Sequence, residues 1–174
     1  GGAGAGAESF GAKRQLATSK SMRCSKNEGS DMPSLAAIVS ANRGGDLVVA
    51  MTKQDVTDIA DAFAKGTEAA REAGFDGVQF HGAHGYLIDT FFWEGTNERD
   101  DEYGGALEER TAFAVEIIEK ARAAVGKDFP LIIRISQWKQ QDFEHKMATD
   151  PEKLKAFLKP MVDAGIDCFD CSTR

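Results

Sequence analysis

Two histidines, a tyrosine and an arginine are the residues whose types and spacing suit catalysis in this chain. His81, His84 and Tyr86 stand in the run Gly77-Val78-Gln79-Phe80-His81-Gly82-Ala83-His84-Gly85-Tyr86. Imidazoles three residues apart, one ending a strand and one in the loop after it, can bring two N–H donors to one oxygen, an oxyanion-type site. The same spacing also suits two histidines bonded to loop carbonyls. Tyr86 adds a phenol that is protonated at neutral pH and able to give a proton. Arg134, in Leu131-Ile132-Ile133-Arg134-Ile135-Ser136, carries a permanent charge that needs an anionic or electron-rich partner, which a cofactor would supply.

Other groups read as structural. A metal at His81 and His84 lacks a third ligand of suitable spacing, so no metal is assigned. Cys168 and Cys171 form C-x-x-C, but on a strand their thiols point to opposite faces, which suits buried small apolar residues better than a redox pair. Trp138 and His145 fall in a polar loop and read as surface packing, whereas Phe91, Phe92 and Trp93 read as loop-anchoring core.

A repeated helix, glycine, strand unit positions these residues. Thr52, with Asp55 three residues on, predicts a helix start, and Val56, Ile59, Phe63, Gly66 and Ala70 follow at helical spacing to a stop at Gly74. A strand over Gly77 to Ala83 comes next. The second unit is a helix over Leu107 to Val125, strengthened by the i,i+4 pair Glu116 and Lys120, then Gly126 and a strand over Pro130 to Ser136. The third begins at Asp150-Pro151 and runs to Gly165, with Pro160 expected to kink it, before a strand over Cys168 to Thr173. Strands separated by helices run parallel, so the class is α/β, doubly wound or a barrel. Catalytic groups then belong at the carboxyl ends of the strands. His81 and Arg134 are near those ends, with Gln79 and Ser136 on their face and Val78, Phe80, Leu131, Ile133 and Ile135 on the other. The stretch from Tyr86 to Gly105 is long for a βα loop, which suggests function.

The 174 residues carry a formal charge of −7 and are 42% hydrophobic, which suits one globular domain and argues against a nucleic-acid binder. No apolar run reaches the roughly 18 to 20 residues of a membrane span, and the N-terminus does not resemble a signal peptide. Three cysteines, Cys24, Cys168 and Cys171, fit a reducing compartment, so the expected location is cytoplasmic. Residues 1–50 read as an irregular or flexible N-terminal segment, opened by a Gly/Ala linker, and residues 51–174 as the folded part. The chain opens without methionine and stops just after an apolar stretch, so it reads as a fragment.

The run from Gly74 to Asp89, together with Thr96-Asn97-Glu98-Arg99, Asp101-Glu102-Tyr103-Gly104-Gly105 and Leu107-Glu108-Glu109-Arg110, closely resembles the Old Yellow Enzyme family of FMN-dependent ene-reductases. The resemblance covers about Met51 to Arg174. It implies a (β/α)8 barrel, of which this chain is a partial TIM barrel of about three helix-strand units. It also implies FMN, reduced by NAD(P)H, passing hydride to the activated C=C bond of an α,β-unsaturated carbonyl or nitro compound. By resemblance His81 and His84 hydrogen-bond the substrate oxygen, Tyr86 protonates the α-carbon, and Arg134 lies against the flavin.

Ala106 and Glu109 depart from the serine and asparagine common in the family, a change that bears on a helix start more than on catalysis. The family's early flavin-contacting strands find no counterpart in residues 1–50. Two unpaired sheet edges would favour self-association. A truncated, non-catalytic fragment unable to retain FMN is the alternative, and an amine dehydrogenase or dienoyl-CoA reductase on the same barrel is a further one.

Overall fold

A computed structural model describes residues 16–18 and 50–173. The elements in chain order are β1 (Leu16–Thr18), α1 (Lys53–Glu72), β2 (Gly77–His84), the short helix α2 (Leu87–Phe92), a 3-10 turn (Glu109–Thr111), α3 (Ala112–Val125), β3 (Leu131–Lys139), α4 (Pro151–Asp163) and β4 (Cys168–Ser172). The strands form one parallel sheet in the order β1-β2-β3-β4. The rest of the N-terminal segment, including the Gly/Ala opening and Cys24, lies outside the described residues.

Local chemistry accounts for the helix boundaries. Thr52 and Asp55 form a capping box, each side chain taking the other's backbone N–H. At the far end Gly74 adopts φ 84, its N–H reaches Arg71 O at 3.0 Å and the Phe75 N–H reaches Ala70 O at 3.1 Å. That pairing satisfies two orphan carbonyls and needs a left-handed residue, which glycine provides. The same closure recurs at Gly165, φ 102, where Gly165 and Ile166 bond Val162 O and Met161 O. Asp150 caps α4 through Lys153 N–H at 2.8 Å, and the helix continues past Pro160 to Asp163. Glu116 and Lys120 make their predicted ion pair at 3.4 Å.

Sequential strand order, with α1 packed on α3 and α3 on α4, winds all three helices along one face. A doubly wound sheet would split them between two faces. The apolar core lies between these helices and the sheet, with Val56, Phe80, Phe92, Phe113, Ile117, Leu131, Phe157 and Met161 all buried. Among the described residues no helix is long and apolar enough to cross a membrane.

Four expectations are corrected. The second helix begins at Ala112 rather than Leu107, because Arg110 is drawn into the preceding loop and the turn over Glu109–Thr111 stays 3-10. A helix, α2, occupies part of the stretch after Tyr86; at six residues it is too short to show a period. β1 supplies a strand where none was assigned. Cys168 and Cys171 are exposed, not buried, because β4 is the outermost strand described.

Candidate active site

β2 and β3 deliver the candidate residues by simple alternation. Val78 and Phe80 enter the helix-side core, while Gln79 and His81 stay half-buried on the opposite face. In β3, Leu131, Ile133 and Ile135 are buried and Arg134 is half-buried; Ser136, on the Arg134 face, is itself buried. In register, His81, Arg134 and Asp170 form one row across β2, β3 and β4.

Beyond Gly82 the register slips, so that His84 pairs with Lys139. Such a bulge re-aims the side chains that follow it. His84 at φ 65 and Gly85 at φ 76 then turn the chain through two successive left-handed residues. The corner gathers the three expected rings: His81 lies 5.2 Å from His84 and 5.2 Å from Tyr86, centroid to centroid. Tyr86 is 37% exposed and its hydroxyl sits 3.3 Å from Gln140 Nε2. The backbone N–H of His84 donates to Ser136 Oγ at 2.9 Å, its Nε2 is 2.7 Å from Ser172 Oγ, and its ring stacks on Trp138 with centroids 4.5 Å apart.

Arg134 borders this group. Its Nη2 is 3.3 Å from Ser172 Oγ, and its buried Nε, 3.5 Å from Asp170 Oδ2, has no hydrogen-bond partner among the described residues. Asp170 also accepts from Gln79 Nε2 at 2.9 Å. Ser172 thus links the guanidinium to the imidazole of His84.

Sequence reasoning missed Asp170, Ser172, Trp138 and a buried ion pair. Asp170 was legible from alternation, two residues after Cys168 in a strand parallel to β3. Trp138 lies in β3, half-buried against His84, rather than in a polar surface loop, because the strand runs three residues further than expected. The ion pair joins Lys139 Nζ to Asp89 Oδ1 at 2.5 Å with both side chains fully buried. Burial pushes the Asp89 carboxyl up and the Lys139 ammonium down, each opposed by the charge of its partner.

The long stretch after β2 is stapled rather than loose. Asn97 Nδ2 donates to Phe91 O and Tyr103 O at 2.6 and 2.7 Å, and Arg99 holds Asp101 and Met51 O. Arg110, 9% exposed, donates to Phe92 O, Gly105 O and Glu94, each at 2.8 Å. Phe91 and Phe92 are buried, as loop-anchoring core should be.

The sequence pattern of the NADH:flavin oxidoreductase / NADH oxidase family matches residues 11–173. The chain belongs to that family. The match begins at residue 11 rather than near Met51, so the resemblance reaches into the N-terminal segment. NADH:flavin oxidoreductases of this family use FMN with NAD(P)H as reductant. Relatives include a cinnamate reductase of Clostridium sporogenes, 38% identical over 132 residues, covering 69% of this chain and 20% of the relative. An NADPH dehydrogenase of Bacillus licheniformis is 39% identical over 125 residues, 72% of this chain and 35% of the relative. The old yellow enzyme homologue of Zymomonas mobilis superposes with a TM-score of 0.61 at 34% identity, over 71% of this chain and 34% of its own. The parallel sheet and its helices are therefore part of a TIM (β/α)8 barrel. The chain spans between a fifth and about a third of the length of these relatives.

Proposed function

We propose that this chain belongs to an FMN-dependent ene-reductase acting on the activated C=C bond of an α,β-unsaturated carbonyl or nitro compound, with NAD(P)H as reductant. The observation that carries the reading is the convergence of His81, His84 and Tyr86 at the carboxyl end of β2, beside an Arg134 in register with His81. The relatives named cinnamate reductase and NADPH dehydrogenase support it.

The residues present fit the flavin. Arg134 carries a buried Nε without a hydrogen-bond partner among the described residues, and Asp170, its carboxylate neighbour, is shared with Gln79. An electron-rich ring edge completes such a guanidinium. FMN, when bound, supplies the hydride. Arg134 would hold the cofactor there and stabilise negative charge on it. His81 and His84 hydrogen-bond the substrate's carbonyl or nitro oxygen, strengthening as negative charge develops there. Tyr86 Oη, at the exposed side of the corner, delivers the proton to the substrate α-carbon.

One observation favours a second reading, a barrel fragment that does not hold FMN: the chain covers 20% and 35% of the length of the two relatives. The visible absorption spectrum of the purified 174-residue chain, incubated with FMN and passed through gel filtration, decides between them. A flavin band that co-elutes with protein supports the first reading, and colourless protein supports the second.

A further inference from the structure

We infer that the buried Asp89–Lys139 pair is the positioning element of the corner that carries His84 and Tyr86, an inference that takes its functional meaning from the ene-reductase reading above. Asp89 uses both carboxylate oxygens on this task. Oδ2 accepts the N–H of Gly85 at 2.7 Å, and Oδ1 takes Lys139 Nζ at 2.5 Å. Lys139 is in turn the register partner of His84, and its own backbone is closed by two bonds with Asp142, at 3.0 and 3.2 Å. The left-handed turn is thus tied from one side to α2 and from the other to the end of β3.

Stability alone does not explain a charged pair here. Both side chains are fully buried, with Met147 Sδ 4.0 Å from the ammonium. An apolar pair of similar volume usually serves a core as well or better, because two charges need not be stripped of water. What an apolar pair lacks is direction. A carboxylate anchored by an ammonium presents its second oxygen at a fixed place, where it captures the N–H of a residue at positive φ. The turn itself needs the left-handed backbone at Gly85, φ 76, which glycine adopts without strain. Fixing Gly85 therefore fixes the residues on either side of it, His84 and Tyr86.

The test compares the ¹⁵N-labelled wild-type chain with Asp89→Asn and with the double variant Asp89→Leu plus Lys139→Met. It reads amide hydrogen exchange at Gly85 and Tyr86 together with the imidazole resonances of His84. Asp89→Asn should speed exchange at Gly85 by roughly 10-fold or more, since the lone ammonium disrupts the site. The double variant should return the core amides of β2 and α3 to wild-type protection, yet leave Gly85 fast and the His84 resonances displaced. Wild-type exchange at Gly85 with unmoved His84 resonances in the double variant would overturn the inference, leaving the pair as core filling. If the single variant does not fold, the double variant decides alone. Titration of the FMN-loaded wild type with 4-hydroxybenzaldehyde separates the two readings: absence of binding there counts against the ene-reductase proposal, while the exchange data still judge the corner.

Discussion

His84 meets two demands at once, a backbone held at φ 65 and a ring that makes hydrogen bonds. Histidine, asparagine and aspartate are the non-glycine residues enriched at positive φ, and of these only the first two carry N–H donors. The type of residue at this position is thus narrowed by the chain's own turn before any substrate is considered. Its neighbours divide the remaining work: His81 sits on a regular strand, Tyr86 at the exposed rim, and Arg134 one strand away. On the proposed function, His81→Ala or His84→Ala should each weaken binding of a phenol to the FMN-loaded protein by about 1 to 3 kcal/mol, the cost of one lost buried hydrogen bond. Spectral titration of the flavin measures it, and unchanged affinity removes the oxyanion assignment. Tyr86→Phe should slow alkene reduction while leaving flavin reduction by NAD(P)H intact. Stopped-flow traces of the two half-reactions check this, and equal loss in both would contradict a proton-donor role.

Among the elements, several carboxylates at caps and loop staples are held in their ionised form by their partners. Asp55 is held below the ordinary 3.8 by the hydrogen bonds of Thr52, Asp101 by the Arg99 guanidinium, and Asp150 by the Lys153 N–H. A depressed carboxyl stabilises the fold fully above its unfolded value and progressively less as pH falls through its folded value. Thermal melts should therefore hold steady in these contributions down to about pH 4 and fall below it, and Asp101→Asn should flatten that fall; an identical acid slope in the variant would reject the assignment. These same caps explain what was legible in the sequence. Thr52, Gly74, Asp150 and Gly165 mark helix ends by local chemistry, and alternation in β2 and β3 set which side chains face the core. The exceptions need contacts distant in sequence: β1 exists only through its pairing with β2, and Asp89 finds Lys139 fifty residues later. Extension of β3 to Lys139 rests on a bulge that no residue type announces.

Over the described residues, apolar burial lies on the helix side of the sheet. Its described edges are β1 and β4, and the latter shows two exposed cysteines. On the fragment reading these edges are open in the 174-residue chain, so its sedimentation at rising concentration should show self-association under reducing conditions, and Cys171→Lys should shift the distribution toward monomer. A monomer at every concentration would show the edges to be covered. Energy and chemistry are also separated across the sheet. Phe80, Leu131 and Ile133 face the helices, whereas Gln79, His81, Arg134 and Asp170 share the opposite face, outside that core. Substitution in the polar row can therefore change what is bound without opening the helix-side core, which leaves selection free to explore new ligands on an inherited frame.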